Sequence, residues 1–128
     1  MLNIVSCASF LPLQGLNIYA ASKAFMLSYS RALRWEVASR GIVVTAVCPA
    51  WMKTEFMAVG KVDVGKQPTV KHFPFAQRPE TVVRRSLLAN RIGFATATCG
   101  IPAFFLRIVA KFLPNFIPMA GWAIIRRL

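Results

Sequence analysis

Leu2-Asn3-Ile4-Val5-Ser6, Ile42-Val43-Val44-Thr45-Ala46-Val47-Cys48-Pro49 and the stretch between them, Asn17 to Ser39, decide the fold. Leu2 to Val5, closed by Ser6, and Ile42 to Val47, closed by Cys48-Pro49, are continuous apolar runs rather than alternating ones, and the second is rich in β-branched residues, which suits strands buried on both faces of a parallel sheet. Asn17 to Ser39 holds no Gly or Pro and sets Met26, Tyr29, Ser30, Leu33 and Val37 at helical spacing. Gly41 follows where a helix C-cap favours a left-handed residue. Strand, helix, strand with a crossover of this length predicts a parallel pair.

Working outward, Trp51 to Pro79 is broken by Gly60, Gly65, Pro68 and Pro74 and reads as an irregular excursion. Pro79-Glu80 puts Pro and an acid in the first turn of a helix that runs to about Asn90. Ile92 to Thr98 is a third strand, ended by Gly100. Ile101 to Leu128 is apolar, is interrupted by Pro102, Pro114 and Pro118, and is predicted as a helical tail. The expected class is α/β with a parallel sheet.

A chain of 128 residues suits one domain, and 56% hydrophobic residues with a mean hydropathy of +0.53 exclude a disordered linker. Sixteen Lys and Arg stand against Glu36, Glu55, Asp63 and Glu80, a formal net charge of +12. Such a balance invites nucleic acid, an anionic membrane surface or a polyanionic cofactor. The cations are scattered without zinc spacing or a nucleic-acid motif, so no nucleic-acid partner is expected. Cys7, Cys48 and Cys99 are far apart and odd in number, which predicts neither a disulfide framework nor a metal site and fits a reducing cytosol. His72 has no second ligand near it and is given no role. Met1 to Val5 does not read as a secretory signal, so the expected location is cytoplasmic.

The chemistry sits in Tyr19-Ala-Ala-Ser-Lys23. A spacing of four at a helix start sends both side chains off one face, a turn apart. A phenol is a weak acid–base catalyst near neutrality, and a neighbouring ammonium favours its phenolate form. Ser6 ends the first strand, and open parallel sheets bind ligands outside the carboxy ends of their strands. Its hydroxyl could hydrogen-bond a substrate oxygen on which charge develops.

Asn3-Ile4-Val5-Ser6, Tyr19-Ala-Ala-Ser-Lys23 with the following Arg-Ala-Leu-Arg-Trp-Glu, and Val44-Thr45-Ala46-Val47-Cys48-Pro49-Ala50-Trp51-Met52-Lys53-Thr54 together resemble the short-chain dehydrogenase/reductase family, most closely over Met1 to Phe56. The resemblance implies the carboxy-terminal half of a doubly wound Rossmann-like sheet: residues 1–100, with a catalytic segment 1–56 and a substrate-lid region 57–100, then the tail 101–128. It implies an NAD(P)-dependent oxidoreductase interconverting a ketone and a secondary alcohol, with NAD and NADP both open. Tyr19 is then the general acid/base, Ser6 the carbonyl-positioning hydroxyl, and Lys23 the residue that assists Tyr19 and holds the nicotinamide ribose. Tyr19, Lys23, Pro49, Met52 and Thr54 form the nicotinamide side of the cofactor site. Ala50 replaces the Gly that commonly follows this Pro, which puts a Cβ beside the ring.

No Gly-x-x-x-Gly-x-Gly turn for a pyrophosphate occurs in these residues. The expectation is a truncated reading frame or a fragment of a longer reductase, with an apolar strand left at the sheet edge and no activity alone. Two noncatalytic alternatives stay open. Residues 19–39 could pair two copies through Phe25, Ala32 and Trp35, as the resemblance suggests for this helix. Residues 101–128 could lie on an anionic membrane surface, since Arg107, Lys111, Arg126 and Arg127 stand among aromatic residues. Phe104, Phe105, Phe112, Leu113, Phe116, Ile117 and Trp122 fit equally a lipophilic pocket, for a steroid or fatty-acyl substrate, and simple core packing.

Overall fold

A computed structural model describes residues 1–52 and 76–127. Strands β1 (Leu2–Ile4), β2 (Thr45–Pro49) and β3 (Thr96–Cys99) form one sheet in that order, with both pairings parallel. Helix α1 (Asn17–Glu36) links β1 to β2, and α2 (Pro79–Ile92) precedes β3. Helices α3 (Ile101–Phe112) and α4 (Phe116–Arg127) follow. The α/β class and the parallel sheet expected from the apolar runs are what the chain forms.

Strand β2 explains the layering, because it is buried along its whole length and its residues alternate between two cores. Ala46 and Cys48 pack with Val5 and Leu27 beneath α1, and Val47 packs with Val82, Ala97 and Cys99 beneath α2. The helices thus cover opposite faces, although the strands are added in one direction. Two successive right-handed crossovers would have put both helices on one face. Helix α2 therefore does not follow α1 as a second right-handed crossover on the same face.

Boundaries shift from the sequence expectation where tertiary contacts intervene. Helix α1 stops at Glu36, and Ala38–Arg40 tightens into a 3₁₀ turn before Gly41, whose φ of 71° closes it. Tyr29, which shares its helical spacing with Ser30 in the sequence, is 53% exposed, while Ser30 is buried and accepts from Asn3 Nδ2 at 2.8 Å. The second strand starts at Thr45 rather than Ile42. It extends through Pro49, which pairs with Cys99 without needing a donor of its own. Pro102 starts α3 in its first turn instead of breaking the tail.

The amino ends of the strands are fastened by side chains. Arg34 donates to Val44 O (3.0 Å) and Gly93 O (2.7 Å). Asn90 Nδ2 donates to Met1 O (3.1 Å) and Thr45 Oγ1 (3.0 Å), and Thr45 Oγ1 donates to Phe94 O (2.7 Å). These bonds tie α1, α2 and all three strands together at the end remote from Ser6. Strand β1 lies at one edge of the sheet and β3 at the other.

Candidate active site

At the carboxy end of β1 the chain turns at Ser6, which caps a 3₁₀ turn at Cys7–Phe10 by accepting from Ala8 N at 3.2 Å. Ser9 Oγ donates to Ser6 O at 2.6 Å, so both the hydroxyl and the carbonyl of Ser6 are held. A serine oxygen that accepts one such bond keeps an O–H to donate. Register points Pro49 toward it: Ile4, the last residue of β1, pairs with Val47, and Ser6 and Pro49 each lie two residues further on.

The first turns of α1 carry Tyr19 and Lys23, both half-buried. Lys23 Nζ reaches Ile4 O at 3.3 Å and lies 5.7 Å from the centroid of the Tyr19 ring. The ammonium is therefore anchored to the strand that ends in Ser6 and set against the phenol, a placement that also gains cation–π attraction. Tyr19 packs on a cluster of Ala8, Leu11, Leu13 and Ala20, joined by Leu106 and Ala110 of α3 and Trp122 of α4. Trp122 is fixed by its indole N–H, which donates to Gln14 O at 3.1 Å, and by stacking on Trp51 with centroids 6.1 Å apart.

Of the residues singled out in the sequence, Ser6, Tyr19, Lys23 and Pro49 gather where the strand ends meet the start of α1. Met52 lies further out, in a parallel bridge to Gln77, and packs against the core under α2. Thr54 lies outside the described residues. Ser9 and Gln77 were not anticipated. Gln77 donates its amide to Cys99 O (3.1 Å) and accepts from Gly100 N (3.2 Å), holding the end of β3. A polar residue in an irregular stretch carries no sequence signal for such a role.

The aromatic residues of the tail divide. Phe104, Phe105, Phe112, Leu113, Phe116 and Ile117 face outward, and only Trp122 joins the cluster at Tyr19. A cleft of about 720 Å³ opens between the loop after β1, Ala20, Ala21 and Ala24 of α1, and Met119 of α4. Tyr19 and Lys23 do not line it, so it is not where they would meet a substrate. The three cysteines are no rival nucleophiles, because burial pushes Cys7 and Cys99 up and Cys48 to about 11, keeping the thiols protonated. Among the described residues no three metal-ligating side chains come together.

Comparison with known proteins bears on the family and the fold. The family model for short chain dehydrogenases matches residues 1–63. A very-long-chain 3-oxoacyl-CoA reductase from Anas platyrhynchos is 36% identical over 116 residues, 90% of this chain and 33% of the relative. A short-chain dehydrogenase from Sphingobium yanoikuyae, solved in complex with NADPH, superposes with a TM-score of 0.66 at 28% identity, covering 86% of this chain and 41% of that one. One from Burkholderia cenocepacia, at 19% identity, shares the fold with a TM-score of 0.70 over 94% of this chain and 47% of its own. The chain spans about a third of the length of the curated relatives it matches.

Proposed function

Because the chain belongs to the short-chain dehydrogenase/reductase family, we propose that it carries the proton-transfer half of an NAD(P)-dependent oxidoreductase that interconverts a ketone and a secondary alcohol. The observation that carries this reading is Lys23, which is bonded to Ile4 O at the end of β1 and set over the Tyr19 ring beside the strand end bearing Ser6.

In the reducing direction the Tyr19 hydroxyl donates its proton to the carbonyl oxygen. The Ser6 O–H donates a hydrogen bond to the same oxygen as negative charge gathers there. Lys23, held by a backbone carbonyl, keeps a positive charge beside the phenol and offers further donors to ribose hydroxyls. By the family resemblance Pro49 and the backbone near Met52 would border the nicotinamide; Thr54, read from the sequence as part of that side, lies outside the described residues. The dinucleotide, when bound, supplies the hydride.

The residues here suit the nicotinamide end of the cofactor: a cation and two hydroxyls collect at the carboxy ends of parallel strands. The loop clusters from Ala8 to Leu13, with Leu106, Ala110 and Trp122, give Tyr19 an apolar border, which favours a lipophilic substrate. A fatty-acyl ketone fits that border and the name of the Anas platyrhynchos relative; a steroid ketone fits the border alone. Phe25, Ala32 and Trp35 all lie exposed on α1, which favours pairing of two copies through that helix. A cytoplasmic setting is part of the same proposal.

The test joins this chain to the part of the Sphingobium yanoikuyae enzyme that it does not cover and follows NADPH oxidation with a long-chain 3-ketone. Lys23→Met is expected to weaken NADPH binding and to slow turnover at saturating cofactor. A chimaera that binds NADPH equally well with and without Lys23 would refute the double role. Titrated alone, the 128-residue chain is expected to show no measurable affinity for either dinucleotide. It has no pyrophosphate turn, and each ~1.4 kcal/mol lost is tenfold in affinity. Micromolar binding by the chain alone would overturn the view that it supplies only the nicotinamide side.

A further inference from the structure

Helix α3 has two apolar faces, and the fold uses one. Ala103, Leu106 and Ala110 pack inward, Ala103 being 1% exposed. On the opposite side Ile101, Phe104, Phe105, Ile108 and Phe112, spaced at helical intervals, form one stripe with exposures of 73, 52, 60, 38 and 74%. An amphipathic helix of a globular domain turns its apolar stripe to the core and leaves polar residues outside. Here the outer stripe is the more aromatic of the two, and contiguous exposed apolar surface of this kind marks an interaction site.

Charge identifies the occupant. From Thr81 to Leu128 the chain has no Asp or Glu, while Arg84, Arg85, Arg91, Arg107, Lys111, Arg126 and Arg127 are all cationic. Lys111 stands at the border of the stripe, its Nζ 5.7 Å from the centroid of the Phe112 ring. Rings pointing outward with Lys111 at their margin, in a stretch of chain without acids, complement a surface that offers hydrocarbon below and anionic headgroups above. A second copy of this chain is a poor occupant, since a two-fold contact through the stripe would bring the same cations together with no acid to pair them. At 12 residues α3 is about 18 Å long. Among the described residues no helix is long and apolar enough to cross a membrane. The helix would therefore lie along a surface.

We propose that the outer stripe of α3 docks this chain on an anionic lipid bilayer, with Ile101, Phe104, Phe105, Ile108 and Phe112 inserted at the level of the headgroups and Lys111 among the phosphates. This holds independently of whether Tyr19 and Lys23 catalyse carbonyl reduction. Its test is flotation of the full chain with phosphatidylcholine vesicles, with and without phosphatidylserine. Partitioning is expected to be about tenfold or more higher on the anionic vesicles and to fall as salt is raised. The combined change Ile101→Ser, Phe105→Ser and Phe112→Ser is expected to reduce it by at least about tenfold. Lys111→Gln is expected to reduce it by about fivefold. These side chains are exposed, so the melting profile should be kept. Phe25→Ser with Trp35→Ser, on the exposed face of α1, should leave flotation unchanged. No flotation, equal flotation on neutral vesicles, or indifference to the triple change would overturn the proposal. So would a lipid-free dimer in analytical ultracentrifugation that the triple change dissolves, since the stripe would then belong to a second copy.

Discussion

The two ends of the three-stranded sheet are built on opposite principles. At the amino end Arg34, Asn90 and Thr45 direct hydrogen bonds to backbone carbonyls and, for Asn90 and Thr45, to one another. At the carboxy end the bonds set single side chains in place: Ala8 N onto Ser6 Oγ, and Lys23 Nζ onto Ile4 O. Side-chain bonds that cross between elements make one end a fastening. At the other end Ser6, Tyr19 and Lys23 are brought near one another, where chemistry can occur. The strand direction decides which end is which, because the crossovers of a parallel sheet leave the loops that can hold a ligand at the carboxy ends.

If the ends are separable in this way, substitutions should separate rate from stability. The largest effect expected is Tyr19→Phe in the chimaeric reductase. It should lower ketone turnover by about 10²–10⁴-fold and leave the melting temperature nearly unchanged, as a general acid is removed with little volume. Turnover at the parent's rate would take Tyr19 out of the mechanism. The mirror experiment is Arg34→Met at the fastened end. It strands the carbonyls of Val44 and Gly93 and should cost about 2–3 kcal/mol in urea unfolding, while the rate constant at saturating substrate stays within a factor of two or so. A rate that fell with the stability would show that the two ends are coupled.

Gly100 tests the boundary between them. Its φ is 98°, and a Cβ there would collide with the Gln77 amide that holds the end of β3. Gly100→Ala should therefore destabilise by about 1–3 kcal/mol, with strain and displacement of Gln77 adding. Gly93 offers the contrast, because its φ of 91° is strained for other residues too but a Cβ there meets nothing. Gly93→Ala should cost less, and equal losses would mean that Gln77 yields without resistance.

The last effect concerns pH and is confined to alkaline conditions. Burial raises the Cys48 thiol to about 11 from an ordinary 9.0. The unfolded chain then sheds this proton first as pH rises, so stability is full below about 9 and declines toward 11 by on the order of 2 kcal/mol. Cys48→Ala should flatten that part of the profile relative to the parent chain. An unchanged alkaline slope would assign the loss to other groups.

How much of this was legible in the sequence follows from how local each cause is. The strands and α1 were visible because continuous apolar runs and an uninterrupted helical stretch are local signals. Their ends slipped where distant residues decide, as when pairing with β3 draws Pro49 into β2. Ser6, Tyr19 and Lys23 were legible through spacing and order, and their gathering at the strand ends needed only the parallel topology. Arg34 and Asn90 were not, because on the sequence they are ordinary residues of a helix face and their partners lie 10 to 89 positions away. The tail was half legible. Its helicity and charge could be read, but a helix apolar on both sides does not say which side turns inward.

Asn90 has a further consequence, for the order in which the chain folds. The bond that anchors Lys23 to Ile4 closes an interval of 19 residues, whereas Asn90 reaches Met1 across 89. Loop-closure entropy makes the longer contact dearer by about 1.4 kcal/mol. The hairpin-like unit of β1 and the start of α1 can therefore assemble while the amino end of β1 is still unsecured. Pairing with β2 brings Met1 to Val43 and Thr45, and the docking of α2 then adds Asn90 to that end, so the corner at Ser6, Tyr19 and Lys23 would be shaped before the sheet that supports it is finished.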